Sequence, residues 1–151
     1  MASVYDYYRE HQSPSNAPKG NGTFWLYAKI DFSKQNMAAA DNLKLFKVKD
    51  KWLLLRGFTR TLVASDGDAT ADIGTAAGGP QLDVAQDPYA AGDWVTMSVL
   101  TGTAAAINIT ADGYIYYECL EATVTSGITE VMIEVYAGPA DAEGTDSLTE
   151  E

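Results

Sequence analysis

The sequence predicts an all-β chain: an antiparallel β-sandwich, jelly-roll-like, with an extended N-terminal arm and an acidic C-terminal tail. Three observations carry this. Stretches rich in β-branched and aromatic residues alternate with period two, Gly-, Asp- and Pro-containing turns separate them at short spacing, and no convincing amphipathic helical stretch occurs anywhere.

Residues 1–22 hold Pro14, Pro18, Gly20 and Gly22 among polar residues, with Tyr5, Tyr7 and Tyr8 near the start. Proline and glycine deny this stretch regular pairing while the tyrosines supply anchors, so it reads as an arm. Residues 23–32 alternate cleanly, Phe24, Leu26, Ala28, Ile30 and Phe32 facing one way and Trp25, Tyr27, Lys29 and Asp31 the other. The run after it is too short for a stable helix and reads as a loop. Two strands follow, 43–49 and 52–64, with a turn at 49–51 and a bulge at Gly57. Further strands are expected at 69–73, 81–85, 94–100, 104–109, 113–120 and 130–136. The nine candidates suit two packed sheets and define a body over 23–137. Beyond it, 138–151 is acidic, small-residue-rich and without apolar periodicity, which marks a solvated tail.

A chain of 151 residues with 46% hydrophobic residues is long and apolar enough for one domain with its own core. Its single cysteine, Cys119, excludes an internal disulfide and a cysteine zinc site, and lies in an apolar run where a buried thiol is ordinary. No run reaches the roughly 18 apolar residues of a membrane span, and the N-terminus lacks the order of a signal peptide, so neither a membrane nor a secretory route is expected.

Charge is strongly asymmetric. Residues 1–60 carry all ten Lys and Arg against five acids, net +5, whereas residues 61–151 carry sixteen acids and no base, net −16. Halves of opposite sign attract within one fold or between neighbouring copies.

Catalytic chemistry has little to draw on. The one histidine, His11, lies in the arm, which is a poor place for a general base. Carboxylate-only calcium binding has one candidate, Asp66 to Asp72, which lacks the EF-hand glycine and its bidentate twelfth ligand and reads better as a solvated turn. No phosphate loop is present, and an isoelectric point near 4.3 argues against nucleic acid. The chain is therefore expected to be no enzyme, with no catalytic residue, no metal site and no cofactor. Its candidate sites are for partners: Tyr5, Tyr7, Tyr8 and Arg9 on the arm, and Lys44, Lys47, Lys49 and Lys51 as a basic face. A different class of reading, a carbohydrate-binding module or receptor-binding fibre domain, predicts a sugar platform of Trp25, Trp94 and Tyr89.

The order of signals from about Leu53 to Tyr136 resembles the capsid decoration, or cement, proteins of tailed phages and related head structural proteins. It is carried by the apolar strand 53–64 ending in small and polar residues, by Ala69-Thr70-Ala71-Asp72-Ile73-Gly74 with its Gly-rich loop, and by an Ala/Asp/Gly stretch to Asp93. The strands 113–120 and 128–136 around Ser126-Gly127 close it. The resemblance covers a little over half the chain. It implies a sandwich body on the outside of a phage head, commonly trimeric, that clamps neighbouring major capsid proteins. The expected place is the virion, assembled in the host cytoplasm, and the expected partners are the major capsid protein and further copies of the chain, with no nucleic acid and no membrane.

Overall fold

A computed structural model describes residues 22–102 and 105–137, together with the backbone of residues 4–5. Its strands are β1 (Val4–Tyr5), β2 (Gly22–Asp31), β3 (Asn42–Val48), β4 (Trp52–Val63), β5 (Thr70–Gly74), β6 (Asp83–Gln86), β7 (Val95–Thr96), β8 (Ile107–Asn108), β9 (Gly113–Leu120) and β10 (Ile128–Ala137). The described residues contain no α-helix, and none long and apolar enough to cross a membrane.

Two sheets form. Sheet A has the order β1-β3-β9-β5-β6, and sheet B the order β2-β10-β4-β7 with β8 also paired to β4. Pairing is antiparallel except where β1 lies parallel to β3. Only β5 and β6 form a hairpin within sheet A; the other connections among β2 to β7, and those from β8 to β9 and β9 to β10, pass between the sheets. The alternation read from the sequence explains the layering. Leu26, Ala28 and Ile30 of β2 and Val131, Ile133 and Val135 of β10 are buried, as are Leu43, Ile73, Ile115 and Tyr117 of sheet A. Each buried leucine, isoleucine or valine among them stabilises the fold by about 1.5–3 kcal/mol relative to exposure. Phe32 and Tyr117 meet in the core with ring centroids 6.1 Å apart.

A buried polar chain ties the sheets together. The Tyr117 hydroxyl donates to Gln86 Oε1 (2.8 Å), Gln86 Nε2 donates to Thr61 Oγ1 (3.2 Å), and that hydroxyl donates to the Asp87 carbonyl (2.8 Å). Each group is satisfied by the next, as burial requires.

The structure departs from simple alternation where one strand holds an extra residue. Leu45 is unpaired between Lys44 and Phe46, so both Leu45 and Phe46 are buried, and Lys44 and Lys47 both face outward although three residues apart. In β4 the register slips at Leu55 and Leu62 rather than at Gly57. Gly57 has another role: a Cβ there would stand 2.3 Å from the sulfur of buried Met97. The strand expected over 94–100 shortens to β7 because its remaining backbone bonds are divided. Met97 N–H reaches Gly57, while Val99 and Leu100 N–H both reach Leu82. Of the strand expected over 104–109, residue 104 lies outside the described residues, and among 105–109 only Ile107–Asn108 form a strand, β8. At the N-terminus, two residues of the expected unpaired arm do pair, Val4 and Tyr5 with Asn42 and Leu43.

Candidate docking surface

The outward side chains of β2, β10 and β4 stand in three cross-strand rows. Trp25, Glu134 and Arg56 form the first, Tyr27, Met132 and Phe58 the second, and Lys29, Glu130 and Arg60 the third. An apolar row thus lies between two rows in which a glutamate of the central strand is flanked by a base or an aromatic ring.

The polar groups hold the rings in place. Arg56 Nε donates to Glu134 Oε2 at 2.7 Å, and its guanidinium lies over Trp25 (5.4 Å) and Phe58 (5.9 Å). Arg60 Nε donates to Glu130 Oε2 and the Tyr27 hydroxyl to Glu130 Oε1, both at 2.6 Å. Arg60 also lies 4.7 Å from the Trp94 ring centre, and Trp25 packs 6.0 Å from Phe58. Glu130 is 6% exposed. Burial by itself raises its pKa, yet the bonds from Tyr27 and Arg60 and the charges of Arg60 and Lys29 bring it below the ordinary glutamate value. On this fixed frame Trp25, Tyr27 and Trp94 remain 44%, 47% and 37% exposed. Tryptophan, tyrosine, methionine and arginine are the residues enriched at protein interfaces.

The two oppositely charged halves of the sequence therefore interleave within the chain, since Arg56 and Arg60 pair with Glu134 and Glu130. The sequence places Trp25, Tyr27 and Lys29 on one face of one strand but does not join them to Arg56, Arg60, Glu130 and Glu134. The signal present is the period-two phase of 23–32 and 52–64, whereas the pairing through residues 128–137 is a long-range fact.

The lysines proposed as a basic face lie at one end of sheet A. Lys44 and Lys47 oppose Tyr116 and Tyr114 of β9, with Lys44 Nζ 4.5 Å from the Tyr114 ring centre. Lys49 and Lys51 flank Asp50 in the β3–β4 turn, where Lys51 adopts a left-handed φ of 68°. Tyr7, Tyr8 and Arg9 lie outside the described residues, as does the Tyr5 side chain. Trp25 and Trp94 of the alternative sugar platform share the outside of sheet B, while Tyr89 lies in the segment between β6 and β7.

The acidic loop is structural in its contacts. Asp66 accepts from the backbone of Thr125 and Ser126 and from the Thr125 hydroxyl, and these bonds, the hydroxyl's first, lower its pKa to about 2. Asp72 Oδ1 accepts from Ala85 N–H. Among the described residues no cluster of His, Cys, Asp or Glu is arranged to hold a metal ion. Cys119 is buried, and burial first, then the charges of Asp41 and Glu118, raise its pKa to about 11, so it remains a thiol.

No protein-family model and no curated protein sequence matches this chain. Solved structures do. A chain of the cyanophage Pam1 capsid asymmetric unit aligns with a TM-score of 0.60 at 14% identity, over 84% of this chain and 93% of that one. A chain of the capsid of Ralstonia phage GP4 aligns with a TM-score of 0.61 at 11% identity, over 91% of this chain and 99% of that one. A chain of the acidic stable capsid structure of Helicobacter pylori bacteriophage KHP30 aligns with a TM-score of 0.55 at 10% identity, over 76% and 87%. The β-sandwich of this chain is thus a fold found in the capsids of three phages, in agreement with the fold that the sequence resemblance implied.

Proposed function

We propose that this chain is a virion structural protein, a decoration or cement protein that binds the outer surface of a phage head and stabilises contacts between major capsid proteins. The observation that carries the reading is the completeness of the structural matches. The alignments consume 93%, 99% and 87% of the capsid chains, so the counterpart in each capsid is a small chain of the same body and not a fragment of a larger subunit. A non-enzymatic role fits those neighbours.

In this reading the sandwich of residues 23–137 is the body, 1–22 the arm and 138–151 a tail. The body works as a homotrimer, and the outside of sheet B supplies the hot-spot side chains that meet the capsid. Lys44, Lys47, Lys49 and Lys51 together with Tyr5, Tyr7, Tyr8 and Arg9 make further contacts with neighbouring subunits. The jelly-roll assignment is supported by the strand order: with β1 and β8 set aside, four strands remain in each sheet and nearly every connection crosses between sheets. The test is to add the purified chain to heads lacking it. Hundreds of copies per particle by mass spectrometry and greater heat resistance are expected; a few copies at one vertex would overturn the assignment. A second reading, glycan binding, is favoured by Trp25 and Trp94 exposed on one side of sheet B, and a glycan array tests it directly.

A further inference from the structure

The sandwich has two unlike sides. On one, β1 and β2 form the outer edges of the two sheets, and β2 approaches β3. On the other, the edges are the short strands β6 and β7, and here the sheets fail to close. Between them lies an open groove of about 450 Å³, floored by β4 residues and walled by Val84, Ala85 and Val95, with Asp87 and Asp93 among its lining residues. Eight consecutive residues beside it, 89–96, are exposed, and Val95 is 62% exposed, the largest value among the exposed large hydrophobic residues.

We infer that this groove is the receptor for the N-terminal segment of a second copy, so that copies join head to tail. The inference deepens the reading of the chain as a homo-oligomer and rests on it. Two chain segments outside the described residues are long enough to serve, and charge separates them. Asp83, Asp87 and Asp93 line the groove, while its one base, Arg60, is already paired with Glu130. The C-terminal residues 138–151 carry five acids and no base, and would be repelled. Residues 6–21 carry two bases and two acids and so are not repelled, and Arg9 directly after the tyrosine pair Tyr7-Tyr8 suits a groove with apolar walls, a polar floor and acids in its lining.

Topology makes the donor a neighbour. Residues 6–21 start from β1 and end at β2, both on the side away from the groove. With both ends held, the segment extends no more than roughly 25 Å from its anchors. Crossing sheets about 15–20 Å wide and turning into its own groove uses up that reach and leaves no residues to lie along the groove, whereas a neighbour placed edge to edge brings its groove to the segment. The contact joins two different patches, so repeated copies close into a ring when the rotation allows, which is how a cyclic trimer forms.

Oxidative crosslinking of the full chain tests this, with buried Cys119 left in place. The variants Tyr8→Cys and Ala91→Cys, mixed, are expected to give an interchain disulfide that neither gives alone, and the double variant is expected to give covalent rings. In sedimentation velocity, Val95→Glu, at an exposed position, is expected to weaken self-association by about tenfold while leaving the unfolding curve unchanged. An intrachain crosslink in the double variant, self-association unaffected by Val95→Glu, or crosslinking of Ala91→Cys only to another particle protein would each overturn the inference. A chain that stays monomeric in solution yet decorates heads would remove the groove contact and leave the capsid assignment standing.

Discussion

Gly57 is held to its identity by a neighbour rather than by its own backbone. A Cβ there meets the Met97 sulfur, and Met97 is fully buried, so Gly57→Ala is expected to destabilise the fold by about 1–3 kcal/mol in chemical denaturation. Glu118 illustrates a different constraint. Burial, and then the charge of Asp72 directly across the ladder, raise its pKa. The folded chain therefore binds this proton more tightly than the unfolded chain, so the contribution favours folding at low pH and is lost as pH rises through the folded pKa. Glu118→Gln is expected to raise the melting temperature at neutral pH, the two proteins converging below about pH 4. Asp66 behaves in the opposite sense. With a folded pKa of about 2, its support is present above the ordinary aspartate range and disappears as pH falls toward that value. Asp66→Ala is accordingly expected to lower the melting temperature at neutral pH, with an effect that shrinks as pH falls from about 4 through 2.

Between elements, the two arginines of β4 provide an internal control. Arg60 pairs with Glu130, which is 6% exposed, so Arg60→Ala leaves that carboxylate with only the Tyr27 hydroxyl and the charge of Lys29 and is expected to cost about 1–3 kcal/mol. The Arg56 side chain is 50% exposed, and Arg56→Ala is expected to cost about 1 kcal/mol or less by the same denaturation measurement. Much of this architecture was legible beforehand, because strands such as β2, β9 and β10 have one buried face and so keep strict alternation. Legibility failed where a backbone irregularity shifts the phase. Nothing in Leu43 to Val48 announces that Leu45 is the extra residue, yet that one bulge brings Lys44 and Lys47 to the same side. The docking rows were hidden for another reason. Trp25, Glu134 and Arg56 are far apart in sequence, and no local pattern states that β10 lies between β2 and β4.

Across the whole molecule, the proposed contact sets the β1–β2 side of one copy against the groove of the next, and a chain beginning near Gly20 lacks the segment assigned to that contact. Such a truncation is expected to decorate heads at reduced occupancy and to protect them less against heat; full occupancy with undiminished protection would show that the arm is not the fastening element. Contacts made through exposed charges are expected to weaken with salt, since screening is strong beyond about 8 Å at physiological ionic strength. The position of β10 bears on how the protein is made. β10 is the central partner of both long strands of sheet B, joining Gly22 to Ala137 and Trp52 to Ala137 at its end. While the ribosome is still reading the codons before Ile128, β2 and β4 have been translated but have nothing between them, and the rows of the docking surface do not exist. The three rows therefore come into being together, when β10 pairs with both of its neighbours.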